Sequence, residues 1–179
     1  ACGRIARLNN DGSIDMTFNP GIGANDKITT VNIQSSGKII IGGYFTSFNG
    51  VTINRIARLD ANGMIDATFN VGGGFNGTIF GAIVQPDDKI IVVGEFTNFA
   101  GNARSRLARL NADGTIDLSF NPGTGANNII ETLALQADGK IIIGGEFTSY
   151  NGTPRNRIAR VAANGALDLT FNVGTGADL

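Results

Sequence analysis

Asp15, Asp66, Asp117 and Asp168 recur every 51 residues, each four residues beyond Asp11, Asn62, Asp113 or Asn164. Acids on such a turn could offer oxygen ligands to a hard cation, and calcium takes six to eight of them. A calcium loop normally supplies three or more closely spaced acids, and two of these four copies carry Asn at the first position. The plainer expectation is a hairpin turn followed by an Asp that accepts hydrogen bonds from the backbone or from arginine. Calcium is the one cofactor left open; no metal ligand is assigned.

Arginine keeps the same step. The tetrad Arg-(Ile/Leu)-Ala-Arg places Arg4 and Arg7, Arg55 and Arg58, Arg106 and Arg109, and Arg157 and Arg160 in four equivalent pairs. On a strand, i and i+3 point to opposite faces. The pairs could form an anion site, but a structural role between neighbouring units fits them better. The planar guanidinium suits bidentate pairing with a carboxylate or carbonyls, and the recurrent Asp is the expected partner. Gly21-Ile22-Gly23 and Gly123-Thr124-Gly125 resemble phosphate loops only superficially, since a cradle needs a helix N-terminus after it and here a strand follows. Phe18, Phe45 and Phe48, with their copies, could stack on sugars; their recurrence at strand ends reads instead as core between units. Histidine is absent, Cys2 is the only cysteine, and no serine sits in a nucleophile elbow. No catalytic residue is assigned, and an enzyme is not expected.

Composition narrows the partners. Of 179 residues, 42% are hydrophobic and 16% charged, as expected of a packed chain. Net charge is −1, and most of the 14 lysines and arginines belong to the tetrads or to the recurrent Lys38, Lys89 and Lys140. Too few cations remain for a nucleic-acid stripe. There is no apolar run long enough for a membrane helix, so no membrane insertion is expected. One cysteine permits no internal disulfide. Ala1-Cys2 resembles the end of a lipoprotein signal, but its place in the repeat register is that of loop sequence.

These residues are positioned by one 51-residue repeat. Each copy reads as four strand-like runs, exemplified by Ile28 to Gln34, Lys38 to Thr46, Arg55 to Leu59 and Ile65 to Asn70. Turns at Asn62-Gly63, Asp113-Gly114 and Asn164-Gly165 carry the glycine such reversals need. The apolar second run implies burial on both faces, and Gly42-Gly43 within it implies a bulge or a close backbone approach. Helical periodicity is absent. The expected architecture is all-β: tandem four-stranded antiparallel blades of β-propeller type, three full and one half. Residues 1–25 form the half blade (strands three and four plus linker), 26–76 the first blade, 77–127 the second and 128–179 the third.

The strings LNADGTIDLSFNPGTGAN and QADGKIIIGGEFTSYNG, followed by RIARV at Arg157, resemble the delta-60 repeat family across the whole chain. That resemblance implies tandem bacterial propeller repeats of large secreted, surface or phage-associated proteins, and it brings no catalytic residue. Propellers usually close with four to eight blades, whereas three are present here. Both ends carry the same half blade, so they duplicate rather than complement each other. The expectation is a segment of a longer tandem protein, or a chain completed by further copies of itself into a ring or filament.

Loops after strands two and four share one face. The second-strand loop varies most: SFNGVTIN from Ser47, NFAGNARS from Asn98 and SYNGTPRN from Ser149. Recognition often sits on such loops, which makes Arg104, Asn151 and Arg155 the candidate ligand-binding residues. The functional expectation is a structural or adhesive module, extracellular or at the cell surface. The alternative is a lectin-like propeller binding glycans or surface polymers.

Overall fold

The computed structural model describes residues 3–178; the reading of Ala1-Cys2 as loop sequence lies outside the described residues. Three units of one topology follow each other. In the first, β1 (Ile28–Ile33), β2 (Ile39–Gly43) and β5 (Ile56–Leu59) make an antiparallel sheet ordered β1-β2-β5. The short strands β3 (Ser47–Phe48) and β4 (Val51–Thr52) form a separate hairpin. The second unit repeats this with β6 (Ile79–Val84), β7 (Ile90–Gly94), β8 (Asn98–Phe99), β9 (Asn102–Ala103) and β10 (Leu107–Leu110). The third has β11 (Ile130–Leu135), β12 (Ile141–Gly145), β13 (Ser149–Tyr150), β14 (Thr153–Pro154) and β15 (Ile158–Val161). Among the described residues the fold is all-β, with antiparallel sheets in repeated blades.

The second strand of each blade is central because its apolar run suits burial on both faces; all of β7 is buried. A register shift opposite its end marks a bulge in all three copies, at Ile28/Thr30, Ile79/Gly81 and Ile130/Thr132. Glycine is required there. A Cβ on Gly43, Gly94 or Gly145 would lie 2.1, 2.0 or 2.4 Å from the carbonyl oxygen of Lys27, Thr78 or Ile129.

Three details differ from the expected blade. The fourth run does not form a ladder strand: it touches the third through one bridge per copy, such as Leu59↔Ile65. The chain bends immediately afterwards, because Asp66 Oδ1 accepts the Thr68 N–H and the Asp66 carbonyl accepts the Phe69 N–H. At the N-terminus, Arg4 to Asn19 keeps only the bridge Leu8↔Ile14. Its third-strand run has no second strand beside it, and a ladder needs that partner. The variable loop, finally, contains the β3–β4 hairpin and its copies. Their tips, Asn49-Gly50, Ala100-Gly101 and Asn151-Gly152, have positive φ at both residues, which matches the right-handed twist of a two-residue hairpin.

The hydrophobic cores lie between units. Ile40, Ile56, Phe69 and Phe75 of the first unit share a cluster with Ile79, Ala82 and Phe96 of the second. Ile91, Leu107 and Phe120 meet Ile130, Ile143 and Phe147 in the same way. Each first strand packs on the next, β1 on β6 and β6 on β11. Small residues in one unit leave room for apolar ones in the following unit. Ile79 fills the space over Gly42, and Leu133 the space over Gly81.

Candidate functional site

The recurrent charged residues meet at the joint between units. Asp66 turns its chain by accepting the Thr68 N–H and hydroxyl on Oδ1. Its Oδ2 takes Arg58 Nε at 2.8 Å and Lys38 Nζ at 2.7 Å. The other copies repeat this: Asp117 binds Arg109 and Lys89, and Asp168 binds Arg160 and Lys140. Asp15 binds Arg7 at 2.8 Å in the N-terminal segment. Both oxygens of each carboxylate therefore already accept hydrogen bonds, and two cations adjoin three of the four. Such an acid is a poor ligand for calcium. Among the described residues no group of three or more His, Cys, Asp or Glu could hold a metal.

The second arginine of the first three tetrads then reaches out of its unit. Arg58 Nη1 donates to the Ala112 carbonyl at 2.6 Å, and Arg109 Nη1 to the Ala163 carbonyl at 2.8 Å. Arg7 Nη1 donates to the Ala61 carbonyl. The guanidinium of Arg58 also lies 4.8 Å over the Phe69 ring, and Arg109 repeats the stacking on Phe120. Backbone contacts accompany it: the N–H groups of Asn19, Asn70 and Asn121 each donate at 2.7 Å to the carbonyl of Asn62, Asp113 and Asn164.

The first arginine does something different from the expected link between units. Arg4, Arg55, Arg106 and Arg157 all have φ near +65°, a left-handed backbone that is costly for a residue with a Cβ. Arg55 and Arg157 donate within their own units, to the carbonyls of Tyr44 and Glu146, and Arg4 donates to the carbonyl of Ala24. These arginines hold a bend at the entry to the third strand. The Arg106 Nε is buried without a partner.

The acids are held ionised. Burial of the Asp66 carboxyl opposes its charge, but hydrogen bonds from Lys38 and Thr68 and the nearby Arg58 outweigh this and keep it well below the usual carboxylate range. Asp117 behaves alike through Ser119, Lys89 and Arg109. In Asp168 the Thr170 hydrogen bonds come first, then Lys140 and Arg160. Asp15, hydrogen-bonded by Thr17 and Arg7, is lowered to about 2.

The variable loops are less free than their variation suggests. Phe48, Phe99 and Tyr150 are buried, and each bridges the linker before the first strand, at Ala24, Phe75 and Ala126. Asn151 is exposed, with its Oδ1 accepting the Thr124 N–H and hydroxyl. Arg104 and Arg155 are partly buried, and each donates to the carbonyl of the residue before it. These two arginines occupy equivalent places in the second and third units, where the first unit has Ile53, so the three candidates form no convergent trio. Open clefts of about 330 and 550 Å³ border the linker between the first two units, and neither is lined by these three residues.

Other anchors have no role assigned from the sequence, and two of the three sets keep its period. Lys38, Lys89 and Lys140 recur in the sequence with no partner assigned, yet each closes on the recurrent Asp. Asn25, Asn76 and Asn127 each use Oδ1 to accept two backbone N–H groups at the entry to the short hairpin, from Thr46 and Ser47 in the first unit and their equivalents in the others. Ser35 binds the Asp88 side chain of the next unit through both its N–H and its hydroxyl. Only the first and second of these signals were readable from recurrence; the Ser35 contact occurs once.

The family described as "Domain of unknown function (DUF5122) beta-propeller" matches residues 1–18, 34–69, 85–120 and 136–171. The matches cover well over half of the chain, and the chain belongs to that family. Among solved structures, a protein of unknown function from Bacteroides caccae is similar at 14% identity with a TM-score of 0.45. The match covers 90% of this chain and 56% of that one. No curated protein matches.

Proposed function

We propose that this β-propeller repeat chain is a non-enzymatic structural or adhesive module of an extracellular or cell-surface bacterial protein, or of a phage-associated appendage. It works by stacking its units and by contacts through unit edges and loops. The observation that carries the reading is the use of the recurrent charges. Arg58, Asp66 and Lys38 with their copies are engaged at joints, and Arg58 and Arg109 each tie one unit to the next. The likeness to delta-60 repeats in secreted, surface and phage-associated proteins supports the location. Electron microscopy and light scattering of the purified chain test it: ordered rings or fibres, or adhesion to bacterial surface polymer, are expected. A chain that stays a monomer and adheres to nothing would overturn it.

One feature favours glycan binding as the second reading. Tyr44 and Phe80, from adjacent units, are both partly exposed, with ring centroids 6.1 Å apart and edge-on, and Lys27 lies over Tyr44. Binding on a glycan array that Tyr44→Ala abolishes would establish this reading instead.

A further inference from the structure

Three linkers meet three hairpin tips with one backbone geometry, and at two of them an asparagine closes the gap. The tip N–H groups of Asn49, Ala100 and Asn151 donate to the carbonyls of Gly23, Gly74 and Gly125 at 2.8, 2.9 and 2.7 Å. The linker glycines Gly21, Gly72 and Gly123 have φ of +63°, +53° and +63°. In the first unit Asn49 Oδ1 accepts the Gly23 N–H at 3.0 Å. In the third, Asn151 Oδ1 accepts the Thr124 N–H at 3.1 Å and the Thr124 hydroxyl. A carboxamide oxygen thus sits over the linker in both. The second unit has Ala100 at this place, and Gly73 where the others have Ile22 and Thr124. A Cβ on Gly21 or Gly123 would lie 2.6 or 2.4 Å from the asparagine Oδ1. On Gly72 it would meet only the Ala100 Cβ, at 3.2 Å, and on Gly73 nothing within 4 Å.

The space so opened is the cleft of about 550 Å³ between the first two units, within the size range of small-molecule sites. Its polar groups keep unused hydrogen-bonding capacity. Gly21, Gly123 and Gly174 donate their N–H to Asn19, Asn121 and Asn172, whereas among the described residues neither Gly72 nor Gly73 donates its N–H to the protein. Asn98 stands where the other units have Ser47 and Ser149; its Oδ1 takes the Gly101 N–H, and among the described residues its Nδ2 donates to nothing. Asn54 Nδ2 donates to the Gly73 carbonyl, which leaves Asn54 Oδ1 free to accept. Arg55 is the only charged residue lining the cleft. Successive N–H groups on a turn through left-handed glycines make a concavity for anions. This linker lacks the helix that a phosphate cradle adds, so a singly charged carboxylate suits it better than a phosphate.

We propose that this cleft binds an acidic sugar, whose carboxylate takes the oxygen position that Asn49 and Asn151 fill in the other units. This rests on the adhesive reading above and names its ligand chemistry. The carboxylate accepts from the Gly72 and Gly73 N–H groups, and Arg55 supplies the opposite charge. Ring hydroxyls both donate and accept, which matches the free Asn54 Oδ1 and Asn98 Nδ2 on either side. A peptide carboxy terminus fits less well. Ala100 and Phe75, the latter 2% exposed, are the only apolar side chains of the cleft, so a peptide's last side chain finds no pocket.

Calorimetric titration of the full chain with digalacturonate tests this. One ligand per chain is expected, bound less tightly as salt is raised, and neutral digalactose is expected to bind at least tenfold more weakly. Ala100→Asn and Gly73→Thr each restore the residue of the third unit. Each is expected to weaken binding at least tenfold without lowering the melting temperature, so the loss is not one of folding. Equal binding of the neutral sugar, or binding retained in both variants, overturns the site. So does binding that Tyr44→Ala abolishes and Ala100→Asn leaves intact, which would move the ligand to the aromatic pair. An acetylated dipeptide with a free carboxy terminus that binds as tightly as digalacturonate overturns the sugar as ligand. A chain that binds no galacturonate overturns the site but not the adhesive reading, which falls only if the chain also adheres to no surface polymer and stays a monomer.

Discussion

At the scale of residues, position in the array decides how much one repeated interaction is worth. Arg58 and Arg7 make the same carboxylate contact, but the Arg58 side chain is 7% exposed and that of Arg7 38%. Breaking a buried ion pair leaves an uncompensated charge and costs about 3 kcal/mol or more. An exposed pair contributes at most about 1 kcal/mol. Arg58→Ala is therefore expected to destabilise the chain by about 3 kcal/mol in urea unfolding, and Arg7→Ala by less than about 1. Arg58→Lys should recover little, because a lysine cannot reach the carboxylate, Thr68 and the Ala112 carbonyl together. The same acids set the pH response. Asp15, Asp66, Asp117 and Asp168 all have lowered folded pKa values, so their contribution is fully present above the unfolded value of about 4. It is lost as pH falls toward the folded values. The melting temperature is expected to be level from pH 5 to 7 and to decline from pH 4 down to pH 2. A transition near pH 6 would contradict this. Gly94 shows a purely steric case: Gly94→Ala forces a methyl against the Thr78 carbonyl, and overpacking of that kind costs about 3 kcal/mol, measurable by the same unfolding.

At the scale of elements, recurrence carried the long strands and their central buried run, because a period of two and an apolar run are written in side chains. The bulge was also legible, through Gly42-Gly43. Elements held by one or two residues were not. The Ile65 run reads as a strand, but the Asp66 side chain bends the backbone after a single bridge, and no apolar pattern records that. The β3–β4 hairpin was hidden for the opposite reason: arms of two residues have no period. Its signal was the Asn-Gly pair at Asn49 and Asn151, where Asn tolerates the left-handed backbone. The joint itself was half visible. The Arg and Asp partners follow from their spacing, whereas the left-handed φ of the first arginine and the lysine as a third partner depend on how strands meet in space. The middle hairpin carries a test of this account. Ala100 has φ +46° where its copies have Asn49 and Asn151. Alanine in that conformation costs up to about 1 kcal/mol more than Asn, whose short polar side chain offsets the left-handed backbone by local hydrogen bonding. Ala100→Asn is expected to raise stability by about that amount in thermal unfolding; an unchanged or lower melting temperature would show that the tip strain is relieved elsewhere.

At the scale of the whole molecule, units that bury their cores against one another behave as a one-dimensional array, in which each unit's stability depends on its neighbours. Among the described residues, only the second unit has a full unit on both sides. Its central strand β7 is buried throughout, and its residues contribute to two of the three core clusters. The first unit has its outer face covered only by Arg4–Asn19, and the third leaves Ile142 and Ile158 partly open. Local opening should therefore begin at the ends and reach the middle last, since opening energy follows buried contacts and protected backbone hydrogen bonds. Native-state hydrogen exchange is expected to be slowest at the amides of Ile90 to Gly94 and faster at the equivalent amides of β2 and β12. Exchange should be fastest along Arg4 to Leu8, which no ladder protects. Arg58→Ala should sharpen this pattern by loosening the first joint, speeding exchange in β2 and β5 more than in β12. Equal protection of β2, β7 and β12, unmoved by that substitution, would mean the three units open as one. The joint would then be a detail of packing rather than the element that couples them.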